Sequence, residues 1–326
     1  MRIALLDDYQ RLAHQSADWR QLPSGCELDV FHHRLASEDE AARLLAGFDI
    51  VMALRERTRF PASLLERLGR LKLIASAGPK NAAIDLAAAI RLGIVVSSTA
   101  GGPRSTTELT WGLILAVVRR IPQEHNALRE GSWQTTIGTE LAGKTLGTIG
   151  LGVIGAQVAG VALAFGMRVL AWSQNLTAER AAECGVELVT KDELLRRADV
   201  LTIHTRLSER TRGLLGAAEL ALMKPTAYLI NASRGPIVDE AALIETLRHR
   251  RIAGAGLDVF DREPVEVGHP LLTLDDVVVT PHLGYVTYEV FRGFYGETLD
   301  NILSYLRGEP RRLLNPEVWD RRRRPD

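Results

Sequence analysis

Gly147-Thr148-Ile149-Gly150-Leu151-Gly152-Val153-Ile154-Gly155 is the stretch whose reading decides the fold. Gly150, Gly152 and Gly155 spell Gly-x-Gly-x-x-Gly, a pattern that is weak alone. Its context makes it specific. The apolar run Thr145–Ile149 before it reads as a strand. The stretch from about Val153 to Phe165 reads as a helix, with Gly166 as its C-terminal cap. In such a strand–turn–helix unit Gly150 permits the tight turn, Gly152 lets backbone N–H groups approach a pyrophosphate, and Gly155 lets helix and strand pack closely. The helix N-terminus adds orphan N–H donors and a partial positive charge. The stretch therefore predicts a dinucleotide site.

The next strand out, Arg168–Trp172, ends at Ser173-Gln174-Asn175. A site for NAD usually places Asp or Glu here, to accept from the ribose hydroxyls. Ser173 stands in that place, and no Arg stands beside it to clasp a 2′-phosphate. The missing acid removes a repulsion against NADP, and the missing Arg removes one attraction. The expectation is a relaxed cofactor choice leaning toward NADP(H).

Further outward, short apolar runs alternate with helix-like stretches. Val200–His204, Ala227–Asn231, Ala255–Val259 and Val277–Thr280 continue the series downstream. Upstream, Ile3–Leu6, Ile50–Leu54, Leu71–Ala75 and Ile94–Val96 form a second one, with amphipathic stretches at Glu38–Ala46, Pro61–Leu68 and Ile84–Leu92. Continuous apolar strands alternating with helices predict an α/β chain with two doubly wound parallel sheets, each covered on both faces. The join lies near Val95–Pro103. A helix follows, for which Ser105 and Glu108 suggest a capping box, Leu109, Gly112, Leu113 and Ala116 a buried face, and Pro122 a stop.

Composition narrows the rest. The chain has 326 residues, 46% hydrophobic and 25% charged, which excludes disordered, collagen-like and coiled-coil chains and suggests two domains. Forty basic and forty acidic side chains cancel, so no net field favours nucleic acid or an anionic membrane. The basic run Arg321–Arg324 reads as a solvated tail. Cys26 and Cys184 are too few for a disulfide framework or a cysteine zinc site, and no histidine spacing resembles a metal site. The apolar N-terminal stretch is too short for a signal peptide, and Leu109–Val118 too short for a membrane span. A cytoplasmic protein without metal is expected.

Three motifs each follow a predicted strand: Asn231-Ala-Ser-Arg234-Gly-Pro, Gly256-Leu-Asp258 with Glu263-Pro264, and Thr280-Pro-His282-Leu-Gly284. A doubly wound sheet gathers such strand ends at the ligand crevice. They bring a guanidinium, a carboxylate and an imidazole together. A 2-oxo acid needs those groups: Arg makes a planar double contact with a carboxylate, and His donates a proton to a developing alkoxide while hydride arrives. A neighbouring carboxylate favours the protonated imidazole and fixes its orientation.

With these motifs the chain resembles the D-isomer-specific 2-hydroxyacid dehydrogenases, the family of glyoxylate/hydroxypyruvate reductases and phosphoglycerate dehydrogenases, from residue 1 to about Glu317. The resemblance implies Arg234 as substrate binder, His282 as acid/base and Glu263 as its partner. It implies that Asp258 and the Ala232 carbonyl hold the nicotinamide carboxamide, with Gly284 also in the cofactor site. The Val153–Ile154 backbone would meet the pyrophosphate, and Ser173 would lie near the adenosine ribose. It further implies a Rossmann cofactor domain, 99–284, a smaller flavodoxin-like substrate domain, 1–98 and 285–326, and a homodimer joined through the cofactor domain.

Departures from the family pattern matter too. In the loop Ala77-Gly78-Pro79-Lys80 the expectation is that Lys80 and the Ala77–Gly78 backbone help bind the substrate carboxylate. Arg206 stands where the family often has proline, and Val153 where it often has Arg or Lys. The expected partner is a small 2-oxo or 2-hydroxy acid. The rival reading is a dinucleotide-sensing corepressor with little turnover. Tyr285, Tyr288 and Trp133 either shape the pocket or pack between domains.

Overall fold

The structure is a computed structural model that describes residues 1–323. Two compact units divide at Gly102/Pro103 and at Val286/Thr287. In the first, strands β1 (Arg2–Leu5), β2 (Glu27–Val30), β3 (Ile50–Ala53), β4 (Leu73–Ser76) and β5 (Val95–Ser97) form a sheet of order β2-β1-β3-β4-β5. Every pairing is parallel. β3 and β4 are buried along their whole length, as strands covered on both faces must be. The helix Tyr288–Leu306 returns to this unit, where the Tyr295 hydroxyl donates to the buried Asp8 carboxylate at 3.0 Å.

In the second unit β6 (Thr145–Ile149), β7 (Arg168–Trp172), β8 (Glu187–Leu188), β9 (Val200–Ile203), β10 (Tyr228–Asn231), β11 (Gly254–Leu257) and β12 (Val277–Val279) run in the order β12-β11-β10-β9-β6-β7-β8, again all parallel. The chain runs outward from β6 in one direction, then restarts at β9 on its other side. The C-terminal ends of β6 and β9 are therefore a switch point, where loops part and leave a crevice. One face is closed by Trp111, Ile114, Val117, Val158 and Ala162, the other by Leu194, Leu195, Leu243 and Leu247.

Both units close the opposite sheet edge in the same way. Asp49, just before β3, accepts from the Arg2 N–H that starts β1 (2.9 Å) and pairs with Lys72 Nζ (3.2 Å). Asp199, just before β9, accepts from the Thr145 N–H that starts β6 (2.9 Å) and pairs with Lys224 Nζ (2.9 Å). Burial pushes the Asp199 pKa up, but the Lys224 hydrogen bond and the Thr145 N–H outweigh it, and the pKa lies below 3.8. A carboxyl with a depressed folded pKa stabilises above its unfolded value and loses that contribution as the pH falls through the folded one. Asp199→Ala is thus expected to cost about 1–3 kcal/mol in urea unfolding at pH 7. The gap from the parent should narrow as the pH drops below about 4. A gap that widens on acidification would contradict this sign.

Four expectations are corrected. The helix after the join starts at Pro103 and runs to Val118, with Pro at its first turn, so Ser105 sits inside it and no capping box forms. Its Ser105 hydroxyl donates instead to the Gly284 carbonyl at 2.8 Å. The buried face of this helix carries Thr107, Thr110, Trp111, Ile114 and Val117 with Leu113 from the expected set, while Leu109 and Ala116 are half-buried and Gly112 is exposed. Arg120 turns left-handed (φ +56°), and Pro122 lies in the first turn of a new helix, Ile121–Arg129, rather than only ending the old one. The basic run is not simply solvated. The Arg323 guanidinium donates to the carbonyls of Leu68, Gly69 and Leu71 (2.9–3.0 Å), and Arg322 stacks on Trp319 at 3.5 Å. Arg324 lies outside the described residues.

Candidate active site

The glycine turn forms as its spacing requires. Gly150 has φ +97°, a conformation open to glycine. Its N–H donates to the Trp172 carbonyl at 2.8 Å, and a Cβ there would lie 2.8 Å from the His204 carbonyl oxygen. At Gly155 a Cβ would lie 2.1 Å from the Gly150 carbonyl oxygen, so only glycine permits this helix–strand contact. At Gly152 a Cβ would meet nothing within 4 Å. That open space lies over the N-terminus of the helix Val153–Ala164, where Val153 is exposed and the first-turn N–H groups have no carbonyl within the helix. A pyrophosphate fits those donors. Ser173, half-buried after β7, ends the neighbouring strand with no carboxylate.

Three loops at the ends of β10, β11 and β12 are locked together. Gly235 lies against the Phe260 backbone, which a Cβ would approach to 2.1 Å; this joins the Arg234 loop to the loop after β11. The Phe260 N–H donates to Glu263 Oε1 at 3.0 Å, and Glu263 Oε2 lies 2.6 Å from His282 Nδ1. The His282 N–H donates to the Asp258 carbonyl at 2.9 Å, and its backbone is left-handed (φ +55°). Burial pushes the Glu263 pKa up, but the His282 hydrogen bond and charge, with Phe260 N–H and Arg234, pull it below the usual carboxylate value. Arg234 is half-buried and donates from one guanidinium nitrogen to the Ser233 carbonyl at 2.7 Å. Ala232 is buried beside it.

Asp258 is fully buried, and burial raises its pKa despite three hydrogen bonds. Its Oδ1 accepts from Thr280 Oγ1 and Leu283 N–H (both 2.6 Å) and its Oδ2 from Gly284 N–H (2.9 Å). A carboxylate offers about four acceptor positions, and three of them are taken. Gly284 has none left: its N–H serves Asp258, and its carbonyl accepts from Ser105 and Thr106 hydroxyls at 2.8 and 2.9 Å. In the first unit, the Ala77 N–H donates to the Ala53 carbonyl (2.9 Å) and the Gly78 N–H to Thr99 Oγ1 (2.7 Å). Both amides thus have partners within their own unit. Lys80 is exposed in the same loop.

Sequence reasoning passed over His204 and Thr106, and read Ser105 only as a helix cap. His204 follows β9 with Nε2 2.9 Å from Thr202 Oγ1, and burial pushes its pKa down to about 4, so it is neutral at pH 7. The Ser105 and Thr106 hydroxyls clamp the His282 loop, and the Tyr285 ring packs on the imidazole. Among the described residues no group of three or more His, Cys, Asp or Glu could hold a metal ion, and no helix is long and apolar enough to cross a membrane.

A dinucleotide cradle beside an Arg/Glu/His constellation at strand ends defines a nicotinamide-dependent dehydrogenase acting on 2-hydroxy acids. The chain belongs to the D-isomer-specific 2-hydroxyacid dehydrogenase family, whose NAD-binding-domain profile matches residues 111–284. It is 40% identical over 271 residues to the glyoxylate reductase of Aeropyrum pernix, covering 80% of this chain and 81% of that one. Against the D-3-phosphoglycerate dehydrogenase of Methanocaldococcus jannaschii it is 42% identical over 263 residues, 79% of this chain; it spans half the length of that relative. The crystal structure of a phosphoglycerate oxidoreductase from Vibrio cholerae superposes with a TM-score of 0.89 at 34% identity, covering 94% of this chain and 99% of that one.

Proposed function

We propose that the chain works as a reductase of small 2-oxo acids, with Arg234 binding the substrate, His282 as acid/base and Glu263 as its partner. The observation that carries this reading is the 2.6 Å contact of His282 Nδ1 with Glu263 Oε2. With Nδ1 tied to the carboxylate, Nε2 is the nitrogen left to act on substrate. A dihydronicotinamide held in the glycine cradle would supply the hydride to C2. His282 Nε2 then gives its proton to the oxygen as the C=O electron pair collapses onto it. Arg234 holds the carboxylate in its planar fork and polarises the adjacent carbonyl. The negative Glu263 stabilises the protonated imidazole before the transfer. The last acceptor position of Asp258 and the Ala232 carbonyl take the carboxamide, and Lys80 adds a second cation for the substrate anion.

The cofactor reading keeps NADP(H) ahead of NAD(H), supported by Ser173 where an acid would repel a 2′-phosphate. A homodimer is supported by apolar side chains left in water on the second unit. Ile121, Leu128, Trp133 and Ile137 are 53–95% exposed on the helix Ile121–Arg129 and the segment after it.

The test is a panel of 2-oxo acids assayed with NADH and NADPH. Turnover of at least one acid is expected, with kcat/KM for NADPH equal to or above that for NADH. No turnover with any acid would sink the reading, and a strong NADH preference would sink its cofactor part. In the same panel Lys80→Ala should raise KM for the acid; an unchanged KM would remove Lys80 from the site.

A further inference from the structure

We propose that Tyr285 is a positioning residue for the reaction: its ring holds the His282 imidazole in the plane that keeps Nδ1 on Glu263 and Nε2 on the substrate. This rests on the acid/base reading of His282 given above.

One hydrogen bond does not orient a ring. The Glu263 contact fixes the position of Nδ1, but small rotations about the Cβ–Cγ bond remain within the tolerance of one hydrogen bond, and they swing Nε2. A second contact on the ring is needed to fix its plane. Tyr285 supplies it, edge to face, with ring centroids 5.6 Å apart and planes at 72°. That geometry is one that aromatic pairs prefer.

The Tyr285 ring can brace the imidazole because its own backbone is braced. The preceding peptide is held on both sides: the Gly284 N–H by Asp258, the Gly284 carbonyl by Ser105 and Thr106. The Val286 N–H closes the turn onto the Leu283 carbonyl at 2.8 Å. Four hydrogen bonds thus frame this residue on both sides. Tyr285 itself is half-buried, so its ring is not sealed in the core.

The test compares Tyr285→Ser, Tyr285→Phe and His282→Asn. It reads the single-turnover rate of NADPH oxidation, KM for the acid, cofactor Kd by fluorescence titration, and Tm. Tyr285→Ser is expected to slow the single turnover about tenfold, the order of magnitude of an aromatic pair. Cofactor Kd and Tm should stay near the parent. Tyr285→Phe keeps the ring and should restore the rate. A Ser variant with an unchanged rate overturns the proposal. So does a loss that Phe does not restore, or one that tracks a fall in Tm or in cofactor affinity. His282→Asn separates the two levels. If it is crippled while Tyr285→Ser is normal, only the positioning role falls; if it too is normal, the acid/base reading and this proposal fall together.

Discussion

A His282→Asn variant should reduce 2-oxo acids with a kcat about 10²–10⁴ below the parent, the usual worth of a positioned general acid. Its cofactor Kd should not change. The substitution isolates the proton transfer. His282 sits at φ +55°, and Asn is among the few side chains that enter the left-handed region readily, so the turn should survive. The Asn amide can also donate to Glu263, which keeps that carboxylate from being stranded. What it cannot do is deliver a proton at the substrate oxygen. The Asp258, Ser105 and Thr106 contacts that build the loop go to backbone atoms around residue 282 and do not depend on its side chain. The measurement is steady-state kcat beside a fluorescence titration with cofactor. A near-normal kcat would refute the role of His282, and a lost cofactor affinity would mean that the variant had disturbed the loop.

How far the fold could be read depended on burial. The strands β6 and β7 were placed to the residue, because each is an apolar run bounded by a charged or polar start and a turn. Two edge strands were passed over. β2 reads Glu27-Leu28-Asp29-Val30 and is at least partly exposed throughout, and β8 is the exposed pair Glu187–Leu188. An edge strand has one neighbour and faces water, so its side chains carry little of the apolar signal by which central strands are recognised. The site divides along similar lines. Arg234, Glu263 and His282 stood out because each follows a strand of one sheet. The Ser105 clamp on Gly284 spans 179 residues and joins a helix start to a loop, so local spacing carried no trace of it. Ser105 instead matched a local capping pattern, which lost to the stronger start at Pro103. Arg323 failed in the same manner: its three carbonyl acceptors lie more than 250 residues earlier, and a basic run by itself reads as solvated.

Arg234→Lys keeps the charge and removes the fork, and should lower kcat/KM for the oxo acid by about 10²–10³. Breaking one side of a hydrogen-bonded charge pair typically costs about 2–5 kcal/mol, which spans that range. The loss should appear in both constants. KM rises because an ammonium cannot make the parallel double contact with a planar carboxylate. kcat falls because the guanidinium also faces charge that grows on the carbonyl oxygen, an interaction stronger in the transition state than in the bound substrate. The fold gives little reason for a structural loss. The Arg234 backbone is held by its own carbonyl, which accepts from the Asn231 amide at 3.0 Å, and by the start of the short helix Gly235–Ile237. Its side chain is half-buried, so a shorter cation leaves no sealed cavity. A rise in KM with kcat intact would restrict Arg234 to carboxylate binding, leaving His282 alone to polarise the carbonyl. Unchanged values of both would remove Arg234 from the site, and with it the claim that these loops form a 2-oxo acid site.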